Sequence, residues 1–470
     1  MDEYDLISIG TGSAMSIVTQ ALRDKPDLDV AVIENKAAGG ICLTRGCIPS
    51  KMLLYPAEVV NHINEADRFG IDAEINSIDF KQIMDRMREH VRPESEQIRK
   101  NLEKSDDLDF YHENAKFIDD YTLKVGKKTI KGDKIILGIG SRISKPAIDN
   151  LEKVGYLTSE TLLDLEELPE SVIVIGGGYI AAEYGYFLSM MGSDVTIVGR
   201  NPQFVPSEEE NVSNVLQKKL SKYMDIHTGF EVEKVGKKGN KKAVIAENAD
   251  GEKRKVKASE ILLAAGRRSN ADILEPHKSG IKTDEKGWIK VNGSLETTKS
   301  DIWALGDATG EHMFKHVANY EAEVVYENAF GEGVREVDYH AVPHAVFTHP
   351  QVASVGMKEK EARQNHEVLI GYYPFENTAK GSAMDIEDYF VKVIVEESTY
   401  RILGAHIVGP HASILIQEII DLMNTPNQNM TPIFKGMHIH PSLSEVVERA
   451  FSNLHSHDHE SHSHEHDEHE

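Results

Sequence analysis

Four hundred and seventy residues hold only two cysteines. That rules out a framework of structural disulfides, which small secreted folds use. A zinc site needs further Cys or His ligands at fixed spacing near the pair, and none lie there. No apolar run reaches the roughly 18 residues of a membrane span. The first residues, Met1-Asp2-Glu3-Tyr4, are acidic and lack the basic and apolar regions of a secretion signal. Positive charge is also short. Lys and Arg number 52 against 77 Asp and Glu, a net charge of −25. Such a balance argues against nucleic acid and anionic membrane as partners. These absences predict a cytoplasmic protein, and there a cysteine pair is expected to be catalytic.

What is present fits a globular α/β protein. The length suggests two to four domains, with 40% hydrophobic residues and 35 glycines. Both cysteines fall in one stretch, Gly39-Gly40-Ile41-Cys42-Leu43-Thr44-Arg45-Gly46-Cys47-Ile48-Pro49-Ser50-Lys51. Five residues of regular helix rise roughly 7.5 Å, whereas a disulfide wants its Cα atoms within about 4.4–6.8 Å. The pair can close only if the helix start is bent, and Gly46 and Pro49 supply such backbone. A strained, accessible disulfide is easily reduced. The bland alternative is two unrelated buried thiols.

This stretch resembles the redox segment of the class I pyridine nucleotide–disulfide oxidoreductases. Ile41, Thr44 and Arg45 depart from the commoner residues there. The resemblance covers residues 4 to about 453. It implies two Rossmann-like nucleotide-binding domains and a C-terminal α+β interface domain that makes a two-fold homodimer. The expected boundaries are 1–150 and 273–340 for the FAD domain, 151–272 for the NAD(P)H domain and 341–455 for the dimerisation domain.

Tyr4 to Ile9 reads as a buried parallel strand, followed by Gly10-Thr11-Gly12-Ser13-Ala14-Met15, a helix, and a second strand ending in Glu34. Glycines there let a pyrophosphate approach the helix N-terminus, and the acid can bond a ribose hydroxyl. A charged, helix-periodic segment follows from about Ile78 to Lys104. The pattern repeats at Ser171 to Ile175, Gly176-Gly177-Gly178-Tyr179-Ile180-Ala181 and Asp194 to Val198. This time it ends in Gly199-Arg200, without an acid. An acid favours NAD, and a nearby arginine accommodates a 2′-phosphate, so NADPH is expected over NADH. In the family, Ala181 at the third glycine position also goes with NADPH.

By resemblance, FAD contacts fall on Gly10, Gly12, Ser13, Glu34, Gly40, Lys51, Ala115, Gly140, Asp307 and Ala318. Contacts to NADPH fall on Gly176, Gly178, Ala181, Arg200 and the turn at Gly266. Cys47 is implied next to the flavin, and Cys42 as the thiol that attacks substrate. Lys51 and Glu183 match an ion pair near the flavin. His440 and Glu445, in His438-Ile439-His440-Pro441-Ser442-Leu443-Ser444-Glu445, match a base and its orienting carboxylate, with His440 serving the partner subunit's site. An imidazole answers a physical need, since a free thiol near pKa 8.5 is mostly protonated at neutral pH. His438 is left unassigned.

The expected function is electron transfer between NAD(P)H and a small thiol or disulfide, through flavin and Cys42–Cys47. Gly10 to Ser13, Ser50-Lys51-Met52, Phe69 to Ala73, Lys315 to Asn319 and Ala345 to Thr348 are similar to mycothione reductase and bis-γ-glutamylcystine reductases. The Cys-Ile-Pro-Ser-Lys and His-x-His-Pro segments look like dihydrolipoyl dehydrogenase, the alternative reading, which would serve a multienzyme complex. Mercuric reductase fits less well, because its C-terminal cysteine pair is lacking. A metal-buffering flavoprotein is the non-enzymatic alternative. The last residues, 456–470, contain only His, Ser, Asp and Glu. They are expected to be disordered, and His457, His459, His462, His464 and His466 could bind a transition metal.

Overall fold

The computed structural model describes residues 1–456. It divides into two compact units. One comprises residues 1–60, 75–200 and 227–338, and the other residues 61–74, 201–226 and 339 onward.

In the first unit the apolar run at the start of the chain forms the strand Asp2–Ile9. It lies parallel between Val30–Ile33 and Lys128–Leu137, with Ile9 opposite both Ile33 and Leu137. Fully buried parallel strands read as unbroken apolar runs, and Val30 to Ile33 is buried throughout. Asp109–Tyr111 extends one side, and Ile302–Ala304 pairs with Lys128–Leu137. The helix Ala14–Asp24 buries Ile17, Val18 and Ala21 against this sheet. The charged segment is the helix Phe80–Lys104, capped by the Asp79 side chain, which accepts from the Gln82 N–H.

A second parallel sheet repeats the design. Ser171–Ile175 lies between Asp194–Gly199 and Glu260–Leu263, and the almost wholly buried helix Tyr179–Met191 follows its first strand. The registers correspond. Gly10 N–H donates to Ile33 O at 2.8 Å, and Gly176 N–H to Val198 O at 2.9 Å. Gly199 therefore occupies the position in the second fold that Glu34 occupies in the first.

The second unit is built on a six-stranded sheet, ordered Pro343–Val346, Gln351–Gly356, Ile402–Gly409, Phe390–Glu396, Val368–Pro374 and Leu454–His455. All its pairings are antiparallel. The helices Ala412–Met423 and Glu445–Ser452 bury Leu415, Ile416, Ile419, Val446, Val447 and Phe451 against it. Segment 201–226 joins this core through buried charges. Lys392 meets Glu209 at 2.7 Å and Glu359 at 2.6 Å, and Glu208 accepts from the Ser354 hydroxyl at 2.7 Å. Among the described residues, no helix is long and apolar enough to cross a membrane.

Candidate active site

The first unit contains a cavity of about 500 Å³. Of the residues expected to hold FAD or move electrons, it gathers Gly10, Gly12, Ser13, Glu34, Gly40, Cys42, Cys47, Lys51, Ala115, Gly140, Glu183, Asp307 and Ala318. They come from stretches as far apart as Gly10 and Ala318, brought together by the order of the parallel strands.

The cavity opens on the turn after Asp2–Ile9. Gly10 has φ +108°, and a Cβ there would stand 2.1 Å from Gly138 O. On Gly40 a Cβ would stand 2.6 Å from Gly12 Cα. Such close backbone approach at the start of a helix is what an adenine dinucleotide's diphosphate requires. Glu34 is held in place. Its Oε2 accepts from the Thr11 N–H at 3.1 Å and the Thr11 hydroxyl at 2.8 Å, and its Oε1 accepts from the Lys36 N–H at 2.9 Å. At the far end the Ser141 hydroxyl donates to Asp307, and Arg267 Nε donates to Ser141 Oγ at 2.6 Å. A dinucleotide with one acid for its ribose and another for a hydroxylated chain fits these residues.

Two helices meet at the cysteines. Gly40–Arg45 carries Cys42, Cys47 opens Cys47–Asn64, and Gly46 interrupts the run between them. That is the bend the spacing demands. In the structure Cys42 and Cys47 are free thiols, the reduced form of the pair. The break brings the two side chains close enough to share a hydrogen bond, which holds the Cys42 thiol down at about 7, helped by the positive charges of Lys315 and Lys51. The same hydrogen bond raises the Cys47 thiol far above its usual range. The shared hydrogen bond and the two lysines thus favour ionisation at Cys42. Lys51 Nζ donates to Glu183 Oε1 at 2.9 Å and to Oε2 at 2.8 Å. Glu183 is buried on the helix Tyr179–Met191.

The remaining predicted residues lie elsewhere. Gly176 has φ +138°, and a Cβ there would stand 2.2 Å from Ala264 O, a close counterpart of Gly10. Gly178 caps the helix Tyr179–Met191 and Ala181 is buried in its first turn. Gly266 follows Glu260–Leu263, and Arg200, next after Asp194–Gly199, is exposed. In the second unit His440 Nδ1 stands 3.0 Å from Glu445 Oε1. That bond, with the Ser442 N–H, holds the Glu445 carboxyl below its usual range. The His440 side chain is 71% exposed, so its other nitrogen is open to a partner. His438 pairs with Glu418 at 3.2 Å. The metal ligands expected at His457, His459, His462, His464 and His466 lie outside the described residues.

Sequence reasoning missed several lining residues. Thr11 holds Glu34, Arg267 pairs with Asp307 at 3.5 Å and Lys315 donates to Ser13, while Ser141, outside the cavity lining, donates to Asp307. Gly266-Arg267-Arg268 was legible as a turn, but nothing local ties Arg267 to Asp307.

The family described as pyridine nucleotide-disulphide oxidoreductase matches residues 4–322, and its dimerisation domain matches residues 342–451. The chain is 32% identical over 467 residues to a mycothione reductase of Mycobacterium tuberculosis, covering 97% of this chain and all of that protein. It is 32% identical over 458 residues to a dihydrolipoyl dehydrogenase of Chlamydia trachomatis, covering 95% of each. Among solved structures it is similar to the Cu(II) complex of the HOCl-induced flavoprotein disulfide reductase RclA from Escherichia coli. The TM-score is 0.84 at 29% identity, over 96% of this chain and 99% of that one.

Proposed function

The chain belongs to the pyridine nucleotide-disulphide oxidoreductase family, and from that premise we propose that it reduces a small thiol disulfide with NADPH, through FAD and the Cys42–Cys47 pair. It is a flavin-dependent disulfide oxidoreductase of a family that uses FAD and NAD(P)H, and a homodimer acting on a small-molecule disulfide is supported. The observation that carries the finer reading is the cysteine pair, with one thiol easily ionised, inside a cavity lined as a dinucleotide cradle. FAD supplies what no side chain can, accepting a hydride from the nicotinamide and passing an electron pair to a disulfide.

The chain's own residues do the rest. The Cys42 thiolate attacks one sulfur of the substrate disulfide. A Cys42–substrate bond forms, the substrate S–S bond breaks, and the leaving thiolate takes a proton from His440 of a second copy. Glu445 fixes the tautomer and supports the imidazolium. Cys47 gives its proton to the now neutral His440 and attacks Cys42 Sγ; the Cys42–Cys47 bond forms, the Cys42–substrate bond breaks, and the second thiolate leaves with the proton that His440 returns. Two electrons and one proton from NADPH, with one proton from solvent, balance the two product thiols. Lys51 holds a positive charge near the redox pair, and Glu183 keeps it placed.

NADPH is favoured by Gly199, which stands where Glu34 stands in the first fold, and by the exposed Arg200 beside it. The compartment proposed is the cytoplasm. The tail histidines are proposed as a transition-metal site; nickel titration of the full chain and of a chain ending at 456 would test that part. The central proposal is tested by steady-state turnover of the FAD-loaded protein with NADPH and NADH, against lipoamide and a panel of small thiol disulfides. Strong NADPH-linked reduction of a small disulfide, with lipoamide poor, is expected. Fast NAD-linked oxidation of dihydrolipoamide would make it a dihydrolipoyl dehydrogenase instead.

A further inference from the structure

His438 stands two residues before His440. Within one subunit the run from Phe434 to Pro441 is exposed at every position but this one. Met437 and Ile439 on either side are 99% and 77% exposed, whereas the His438 side chain is only 15% exposed. The run hangs between two points of the core, Ile433 before it and Leu443 after it. Among the described residues, His438 is the one side chain of the run turned inward, and its Nε2 meets Glu418 Oε2 at 3.2 Å.

Glu418 is a fixed point. It sits on the helix Ala412–Met423, whose Leu415, Ile416 and Ile419 are packed into the core of this unit. Burial pushes its carboxyl above the usual range, and the His438 imidazole offsets that only in part. A buried pair of this kind adds little stability over an apolar pair of the same size; what it supplies is direction. Consecutive Cα atoms are about 3.8 Å apart, so the Cα of His440 lies within about 7.6 Å of that of His438. A displacement of one is passed to the other. On the far side, Glu445 Oε1 meets His440 Nδ1 at 3.0 Å, and Glu445 Oε2 accepts from the Ser442 N–H at 3.0 Å. Those bonds fix the ring against the start of the helix Glu445–Ser452. The N-terminal side of His440 is fixed through His438.

We infer that Glu418, bonded to His438, sets where the His440 imidazole stands for its proton transfers. Glu418 is a positioning residue and touches no reacting atom. This inference rests on the proposal that His440 is the acid and base of the disulfide exchange. It gives the first histidine of His438-Ile439-His440-Pro441 a task, and it adds a carboxylate from a second helix to the one that steers the base.

The test is a double-mutant cycle on the FAD-loaded full chain. Two rates are read by stopped flow: flavin bleaching by NADPH, which does not involve His440, and reoxidation of the NADPH-reduced enzyme by excess 2-hydroxyethyl disulfide, whose alkyl thiolate needs a proton to leave. Glu418→Leu keeps the volume but cannot accept a hydrogen bond, and His438→Leu breaks the same bond from its other end. Glu418→Gln can still accept through its amide oxygen. Each is made with and without His440→Gln. Either leucine variant should slow reoxidation roughly 10- to 100-fold, the scale of a catalytic group misplaced by an ångström, while bleaching keeps its wild-type rate. Glu418→Gln should stay close to wild type. In the His440→Gln background the leucine variants should cost no more than about twofold, because a residue that acts through another loses its effect when the other is gone. Equal losses in both backgrounds, or no loss with His440 present, overturn the inference and leave the role of His440 standing. Slowed bleaching in both leucine variants marks a general structural defect and overturns it too. If His440→Gln alone is reoxidised at the wild-type rate, the proposed role of His440 falls, and this inference with it.

Discussion

Two glycines divide the labour between the nucleotide folds, and exchanging each for alanine separates their tasks. Gly10 and Gly176 sit at equivalent places, both at positive φ, +108° and +138°. An added Cβ would stand 2.1 Å from Gly138 O in one and 2.2 Å from Ala264 O in the other. Ordinary contact needs more than an ångström beyond that, so the turn has to open. Holding an L-residue in such a conformation costs roughly 1–3 kcal/mol, and over-packing costs a further 1–3 kcal/mol or so. Relaxing the turn spoils the cradle instead, so ligand affinity drops by at least about 30-fold at 1.4 kcal/mol per decade. Gly10→Ala should purify with little FAD, read from the ratio of flavin to protein absorbance. Gly176→Ala should keep FAD at the wild-type ratio, yet need at least about 30-fold more NADPH for half-maximal flavin bleaching in a stopped-flow experiment. Wild-type NADPH dependence in Gly176→Ala, or loss of FAD from that variant alone, would refute the reasoning.

Other outcomes follow from the same geometry. Cys42→Ser should abolish disulfide turnover while NADPH still bleaches the flavin, and surviving turnover would remove Cys42 from the reaction. With Arg200 on the 2′-phosphate as proposed, Arg200→Ala should lose a charge-assisted hydrogen bond worth about 1.5–3 kcal/mol, so kcat/KM should fall roughly 10- to 150-fold for NADPH and little for NADH; an equal loss for both would refute the assignment. His440→Gln should lower kcat by about 10²–10⁴-fold, the usual worth of general acid–base catalysis, measured at saturating disulfide. With the Cys42 thiol held at about 7, its thiolate fraction grows as pH rises through 7. Disulfide reduction should therefore rise over that interval and then level off, and a rate independent of pH between 6 and 8 would contradict it. Removing residues 456–470 should leave disulfide reductase activity intact.

Much of this was legible in the sequence because its signals are local. The strand ending at Ile9, its glycine turn and the acid at Glu34 fall within some thirty residues, and the copy from Ser171 to Arg200 repeats the strand and the turn without the acid. The cysteine spacing demanded a bend, and Gly46 provides it. Less local features were not legible. Arg267 reaches Ser141 across 126 residues and meets Asp307 directly at 3.5 Å. Lys315 reaches Ser13 across 302. Neither contact follows from periodicity or spacing, since both depend on which strands become neighbours. His440 and Glu445 are close in the chain, and their pairing at 3.0 Å was within reach of the sequence.

The most direct measurement is a thiol count. The chain has two cysteines, so the FAD-loaded, air-oxidised protein, unfolded and titrated with Ellman's reagent, should show none. After one anaerobic equivalent of NADPH the same titration should show two, because one hydride opens one disulfide. A count that stays at none after NADPH, or that is already two before it, would mean that electrons do not pass from NADPH to a Cys42–Cys47 disulfide, and the central claim would fall.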